Sequence, residues 1–330
     1  MKRLLAIVCF MLLLLCLLSG CGGSDSEQPQ LRIAYFPNIT HSQALVMKEQ
    51  GSLEEALGES CRVSWTAFNA GPAEVEAMFA GEIDLGFIGP VPAISANVKS
   101  KGDFRVIAGA ANGGAALVVR NGVEFNSVAD LSGKVVAIPQ LGNTQHLSLL
   151  NLLSENGLAP LSAGGDVEVV AASNADILNM MDQGNVDAAL APEPWVSTIL
   201  AQTDSRLALD YDQIWMEGDY STAVVIVSRE FQEQYPEIVS TFLQVHKAAT
   251  AYILDNTAEA AEIANRQIEA ETGKAIAPDI LSSSFERLRI TDEIPDDSLQ
   301  AFAQLSYDEG FIAALPDDSL IDSAPQDSIK

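Results

Sequence analysis

Short apolar runs constrain the fold most. They fall at 31–36, 63–68, 83–88, 104–110, 115–120, 134–138, 167–171, 186–190 and 223–228, and they alternate with stretches of helical period. Most lack strict polar–apolar alternation, as strands do when both faces are covered. Strands of that kind separated by helices build open sheets, so an α/β fold is expected.

An internal echo refines this. The segment from Glu76 to Phe87 reads as a helix closed by Gly81 and followed at once by Ile83, Asp84 and a strand; the segment from Asn179 to Leu190 repeats it with Gly184, Val186 and Asp187. Two copies of one unit predict two lobes built alike. Ser127-Val128-Ala129-Asp130 and Ser173-Asn174-Ala175-Asp176 fit Ser-x-x-acid helix starts. The run from Ala115 to Arg120 leads into a second lobe and that from Ala223 to Ser228 leads back, making these crossings the hinge. Lobe 1 is therefore expected at 31–114 and 224–330, and lobe 2 at 115–223. Helices over Phe231–Leu254, Ala258–Ile268 and Ile280–Arg289 are expected on lobe 1.

Residues 1–20 have the form of an export signal: Lys2 and Arg3, an apolar run from Leu4 to Leu18, then Ser19 and Gly20. The run is short for a membrane span. Leu18-Ser19-Gly20-Cys21 resembles a bacterial lipoprotein box, which implies lipid on Cys21 and attachment to the outer face of the cytoplasmic membrane, extracellular or periplasmic. Residues 21–30 read as a tether, rich in Gly, Ser, acid and Gln. With Cys9 and Cys16 in the signal and Cys21 lipidated, Cys61 is left alone, without an intrachain disulfide and best read as a small buried hydrophobe.

The formal charge is −27, and −29 once Lys2 and Arg3 are removed with the signal. Such acidity argues against nucleic-acid binding and repels an anion at long range. Any bound anion must be held by local groups. Neither a phosphate loop, a His-Glu-x-x-His helix, a Gly-x-Ser-x-Gly elbow nor a paired-cysteine metal spacing occurs, so no catalytic residue, metal or cofactor is expected.

Candidate binding residues sit where strands run into helix starts. Gly71-Pro72 follows one strand, Gly89-Pro90 the next, and Gly142-Asn143-Thr144-Gln145-His146 follows Pro139, with Asn143 or Thr144 as the cap. Helix N-termini present free N–H groups and partial positive charge, so three converging on one cleft suit an oxyanion without lysine or arginine. Asn38, Thr40 and His41 offer donors after the first strand. His41 and His146 would donate more strongly if protonated. In Pro192-Glu193-Pro194-Trp195, Trp195 is a candidate apolar wall, while Glu193 either pairs a ligand ammonium or simply sits at a helix's positive end. Asn112, beside Gly113-Gly114, either exposes backbone groups to ligand or marks the bend.

Several of these stretches together resemble the nitrate, sulfonate, taurine and bicarbonate solute-binding family of ABC importers, which also includes binders of thiamin-pyrimidine precursors. They are Leu31–Tyr35, Phe68-Asn69-Ala70-Gly71-Pro72, Ala80-Gly81-Glu82-Ile83-Asp84 with Gly89, Val128 to Lys134, Gly142 to His146, and Pro192 to Trp195. The resemblance implies a periplasmic-binding-protein-like type II fold, two α/β lobes joined by two crossing strands. It also implies a monomer that delivers a small anion, sulfonate- or taurine-like, to an ABC permease with its cytoplasmic ATPase. Pro37-Asn38-Ile39-Thr40-His41 departs from the glutamine-containing opening common among sulfonate binders, which leaves nitrate, bicarbonate or a pyrimidine precursor as alternative ligands. An enzyme or a sensor on the same fold is the reading from another class.

Overall fold

The computed structural model describes residues 28–328. The export signal, Cys21 and the tether up to residue 27 lie outside the described residues. The strands are β1 (Gln30–Tyr35), β2 (Arg62–Ala67), β3 (Leu85–Ile88), β4 (Phe104–Gly113), β5 (Ala115–Val119), β6 (Val135–Ile138), β7 (Glu168–Ala171), β8 (Ala188–Pro192), β9 (Arg206–Leu209), β10 (Ser221–Ser228) and β11 (Leu288–Ile290). They form two sheets, β11-β4-β10-β3-β1-β2 and β7-β6-β8-β5-β9. Chain continuity between the sheets passes through Gly113-Gly114, with φ of 70° and 74°, and returns into β10.

The sheets share one plan. In the first, β1 pairs in parallel with β2 and β3, and β10 runs antiparallel to β3. In the second, β6 pairs in parallel with β7 and β8, and β5 runs antiparallel to β8. The aspartates of the sequence echo do the same job in each. Asp84 accepts from the Arg32 backbone N–H at 2.8 Å and from its guanidinium, while Asp187 accepts from the Val135 N–H at 3.0 Å and from Arg120 at 2.8 Å. Each carboxylate satisfies a backbone donor on the neighbouring parallel strand. Gly81 and Gly184, with φ of 70° and 72°, turn the chain out of the preceding helix, a conformation that side chains with a Cβ resist.

The longer helices are α1 (Ser42–Gln50), α2 (Gly71–Phe79), α3 (Pro90–Ser100), α4 (Thr144–Glu155), α5 (Asn174–Gln183), α6 (Trp195–Gln202), α7 (Pro236–Asp255), α8 (Thr257–Thr272), α9 (Pro278–Phe285) and α10 (Asp296–Asp308). One face of the first sheet, with Leu31, Ile33, Tyr35 and Phe87, packs on Leu45, Phe242 and Ile263 of α1, α7 and α8. Its other face, with Ala34, Ile88 and Ile226, belongs to a cluster that continues into Leu117, Val136 and Leu190 of the second sheet. Ala116, Val118 and Ala189 on the far face of the second sheet are covered by Ile177 of α5 and Val196 of α6. Full burial of each large apolar side chain stabilises by roughly 1.5–3 kcal/mol, which is why these runs read as continuous rather than alternating. Cys61 is buried, and burial pushes its thiol up from the usual range.

Several details differ from the sequence expectations. The ordered body begins before residue 31, since the Pro29 carbonyl accepts from Arg62 N–H at 2.8 Å and β1 starts at Gln30. The expected helix over 231–254 is split: Pro236 has no N–H to continue the ladder, and Tyr235 before it leaves the helical region at φ −134°, ψ 57°. The expected helix over 280–289 stops at Phe285, and Leu288–Ile290 instead pairs with Ala111, Asn112 and Gly113 of β4. Ser127 and Asp130 do form a capping box, but over a single 3-10 turn, because Gly133 at φ 69° redirects the chain toward β6. The helix α10 and the edge strand β9 were not anticipated. Among the described residues no helix is long and apolar enough to cross a membrane.

Candidate functional site

The carboxyl ends of the parallel strands in both sheets open onto one cleft, as ligand sites do in open α/β sheets. The cleft is lined by Phe36, Asn38, Thr40, His41, Asn69, Ala70, Gly71, Gly89 and Pro92 from the first half, by Pro139, Asn143, Thr144, Gln145, Asn174 and Pro192 from the second, and by Thr222 at the start of β10. Four helices begin at it. Ala70 caps α2, Gly89 caps α3, Asn143 caps α4, and Asn174 is the first residue of α5. Each first turn leaves N–H groups without intrahelical partners and carries about half a positive charge.

The lining residues include no Lys, Arg, Asp or Glu. Several neutral polar groups are free. Asn38 Oδ1 accepts from the Thr40 N–H and hydroxyl, both at 3.0 Å, which leaves its amide N–H₂ unengaged. Asn143 is committed: Oδ1 accepts from His146 N–H at 2.8 Å and its amide donates to Gln145 Oε1 at 3.0 Å. The Thr144 hydroxyl and Asn174 Oδ1 are buried without a partner among the described residues. Thr144 Oγ1 lies only 2.5 Å from where a Cβ on Gly89 would stand, so the two halves touch across the cleft. Gly71 is needed for a different reason: a Cβ there would meet the Pro92 ring at 2.3 Å, and its absence lets α2 and α3 start side by side.

Both histidines are neutral, a protonation state that the sequence alone left open. His41 Nδ1 accepts from the Phe36 N–H at 3.1 Å, which puts its proton on Nε2, and burial pushes its pKa down to about 3. Its ring stacks on Phe36 at 4.3 Å. His146 Nδ1 likewise accepts from the Gly142 N–H at 3.0 Å, and burial takes its pKa down to about 4.

Of the residues expected at the site, Asn38, Thr40, His41, Gly71, Gly89, Asn143 and Thr144 line the cleft. Pro90, Asn112, Gly142, His146, Glu193 and Trp195 do not. Pro90 occupies the first turn of α3 behind Gly89, and Gly142 and His146 bond to each other, with the His146 ring 5.1 Å from that of Phe311. Asn112 donates to Asp219 at 3.0 Å beside the bend. Trp195 packs on the core under the second sheet. Glu193 is fully buried: its carboxylate accepts from the Ser197 N–H at 3.0 Å and hydroxyl at 2.9 Å at the start of α6, and from Arg287 at 3.2 Å. It stands as an acid at a helix's positive end, outside the cleft lining. Asn69, Ala70, Pro139, Gln145, Asn174 and Pro192 lie within or beside the sequence motifs without being candidates themselves, and Pro92 lies two residues past Pro90 in the first turn of α3. Phe36 read as the end of a strand, and Thr222 carried no signal, because only the return of β10 brings it to the cleft.

Glu74 in the first turns of α2 is a second buried acid. Neither carboxyl oxygen has a partner among the described residues, and Oε1 occupies the space that a Cβ on Gly86 would fill, at 1.9 Å. Burial raises its pKa well above 4.5. The folded state therefore keeps this proton at pH values where the unfolded chain has lost it, so stability contributed here falls as pH rises from about 4.5 toward the folded pKa, by up to about 1.4 kcal/mol per pH unit. Glu74→Gln is expected to flatten the loss of urea stability between pH 5 and pH 8 relative to the native chain. Parallel curves for the two would contradict this.

Two α/β halves of like topology, facing one cleft with the carboxyl ends of their parallel strands, define the periplasmic-binding-protein fold. The chain belongs to the NMT1-like family, which it matches over residues 24–268. Among solved structures it superposes on the alkanesulfonate-binding protein SsuA from Xanthomonas axonopodis pv. citri bound to MOPS, with a TM-score of 0.71 and 22% identity over 91% of this chain and 98% of that one. It also superposes on the periplasmic nitrate-binding protein NrtA from Synechocystis PCC 6803, with a TM-score of 0.74 and 13% identity over 92% and 88%. At these identities the likeness is one of fold. Among curated relatives, the taurine-binding periplasmic protein of Escherichia coli K12 is 29% identical over 181 residues, and the match spans 54% of each chain. A putative aliphatic sulfonates-binding protein of Bacillus subtilis 168 is 26% identical over 255 residues, 75% of this chain and 74% of its own.

Proposed function

We propose that this protein is the solute-binding component of an ABC importer and captures a small oxyanion of the sulfonate class in the cleft between its halves. The observation that carries the reading is the meeting of four helix N-termini, two from each half, at a cleft lined by uncharged residues. An anion there is held by main-chain N–H groups and by neutral donors such as Thr144 and His41, each helix terminus adding up to about 2 kcal/mol in a buried setting. Because both halves contribute, the ligand stabilises the arrangement in which they touch, and this shape is what the permease receives. The relatives named for taurine and for aliphatic sulfonates support the ligand class. The protein acts as a monomer without catalysis, held by lipid on Cys21 to the outer face of the cytoplasmic membrane, whose permease and ATPase complete the importer.

Calorimetry with ethanesulfonate, nitrate and bicarbonate tests this. Saturable heat with one site per chain is expected for ethanesulfonate. Heat from none of the three would remove the ligand class.

A further inference from the structure

Resting on that reading, we infer that the cleft selects oxyanions that carry no positive charge, so that ethanesulfonate is accepted and taurine, the same sulfonate bearing an ammonium group, is rejected. An ammonium ion inside a protein needs a carboxylate to replace its hydration. The cleft lining supplies none among the described residues. The acid closest to it in sequence, Glu193, is fully buried outside it and committed to Ser197 and Arg287. The field has the wrong sign as well, since the helix termini that attract a sulfonate from both sides repel a cation only a few bonds away. The unpartnered buried acceptors of the lining are the amide Oδ1 of Asn174 and the hydroxyl of Thr144, and both stand at the positive end of a helix. Each can accept a hydrogen bond but cannot neutralise a charge.

Asn174 gives the inference a test that reverses the outcome. Asn174→Asp is nearly isosteric, and an acid in the first turn of α5 suits that helix, so the variant keeps its fold. Calorimetry on the native chain should show ethanesulfonate binding at least ~100-fold more tightly than taurine, about 2.7 kcal/mol. In N174D the ratio should shrink by tenfold or more, ethanesulfonate weakening and taurine strengthening. Taurine within about tenfold of ethanesulfonate on the native chain would overturn the selectivity while leaving the functional reading in place. A ratio unmoved in N174D would overturn its electrostatic origin. Heat from neither sulfonate would overturn the functional reading itself, a result distinct from both.

Discussion

Replacing Gly89 by valine is expected to lower the affinity for ethanesulfonate at least ~100-fold while both halves stay folded. The backbone at Gly89, φ −66° and ψ 150°, is one that valine adopts readily. Within its own half the added Cβ meets the Pro92 ring at 3.6 Å, an ordinary contact. The clash comes from the other half, where Thr144 Oγ1 lies at 2.5 Å. Even if the Thr144 hydroxyl turns aside, the valine methyls occupy the space where the ligand and two helix starts meet. The thermal midpoint should move by less than about 4 °C, because nothing inside either half is disturbed. Calorimetry and thermal unfolding together check this. Undiminished affinity would mean that the halves need not touch to hold the ligand.

Arg287→Met should destabilise the protein by roughly 3–5 kcal/mol at neutral pH, because it leaves a buried carboxylate without its counter-charge. Arg287 precedes β11 of the first sheet but reaches Glu193 and, at 2.8 Å, Asp210, both in the second half. Burial already raises the Glu193 carboxyl, opposed by the Ser197 hydrogen bonds and by Arg287. Without Arg287 the group rises further, and the folded state must hold a proton that the unfolded chain releases above about 4.5. The loss of stability should therefore be larger at pH 8 than at pH 5. Urea unfolding at the two pH values reads the effect, and adding Glu193→Gln should recover most of it. A loss that is the same at both pH values would place the effect of Arg287 in packing instead.

The architecture was legible because both-face burial leaves continuous apolar runs, and because Gly81–Asp84 and Gly184–Asp187 repeat one local device that the sheet requires twice. The short edge strands β9 and β11 were not, since Arg206–Leu209 and Leu288–Ile290 bury little and owe their conformation to partners far along the chain. For the site, the glycines and caps after strands could be read locally: Gly71, Gly89 and Asn143 are placed by the chemistry of chain reversal itself. Glu193 could not, because its fate depends on Arg287, 94 residues away. The protonation of the histidines was not legible for a related reason. A sequence shows an imidazole's chemistry but not its burial, and at His41 burial and one backbone N–H decide the protonation state.

A crystal structure of the protein with ethanesulfonate tests the central claim most directly. The sulfonate oxygens should lie about 2.7–3.2 Å from main-chain nitrogens of both halves, with at least one from the starts of α2 or α3 and one from the starts of α4 or α5, and with no lysine or arginine in contact. A sulfonate held by a basic side chain, or by one half alone, would contradict it.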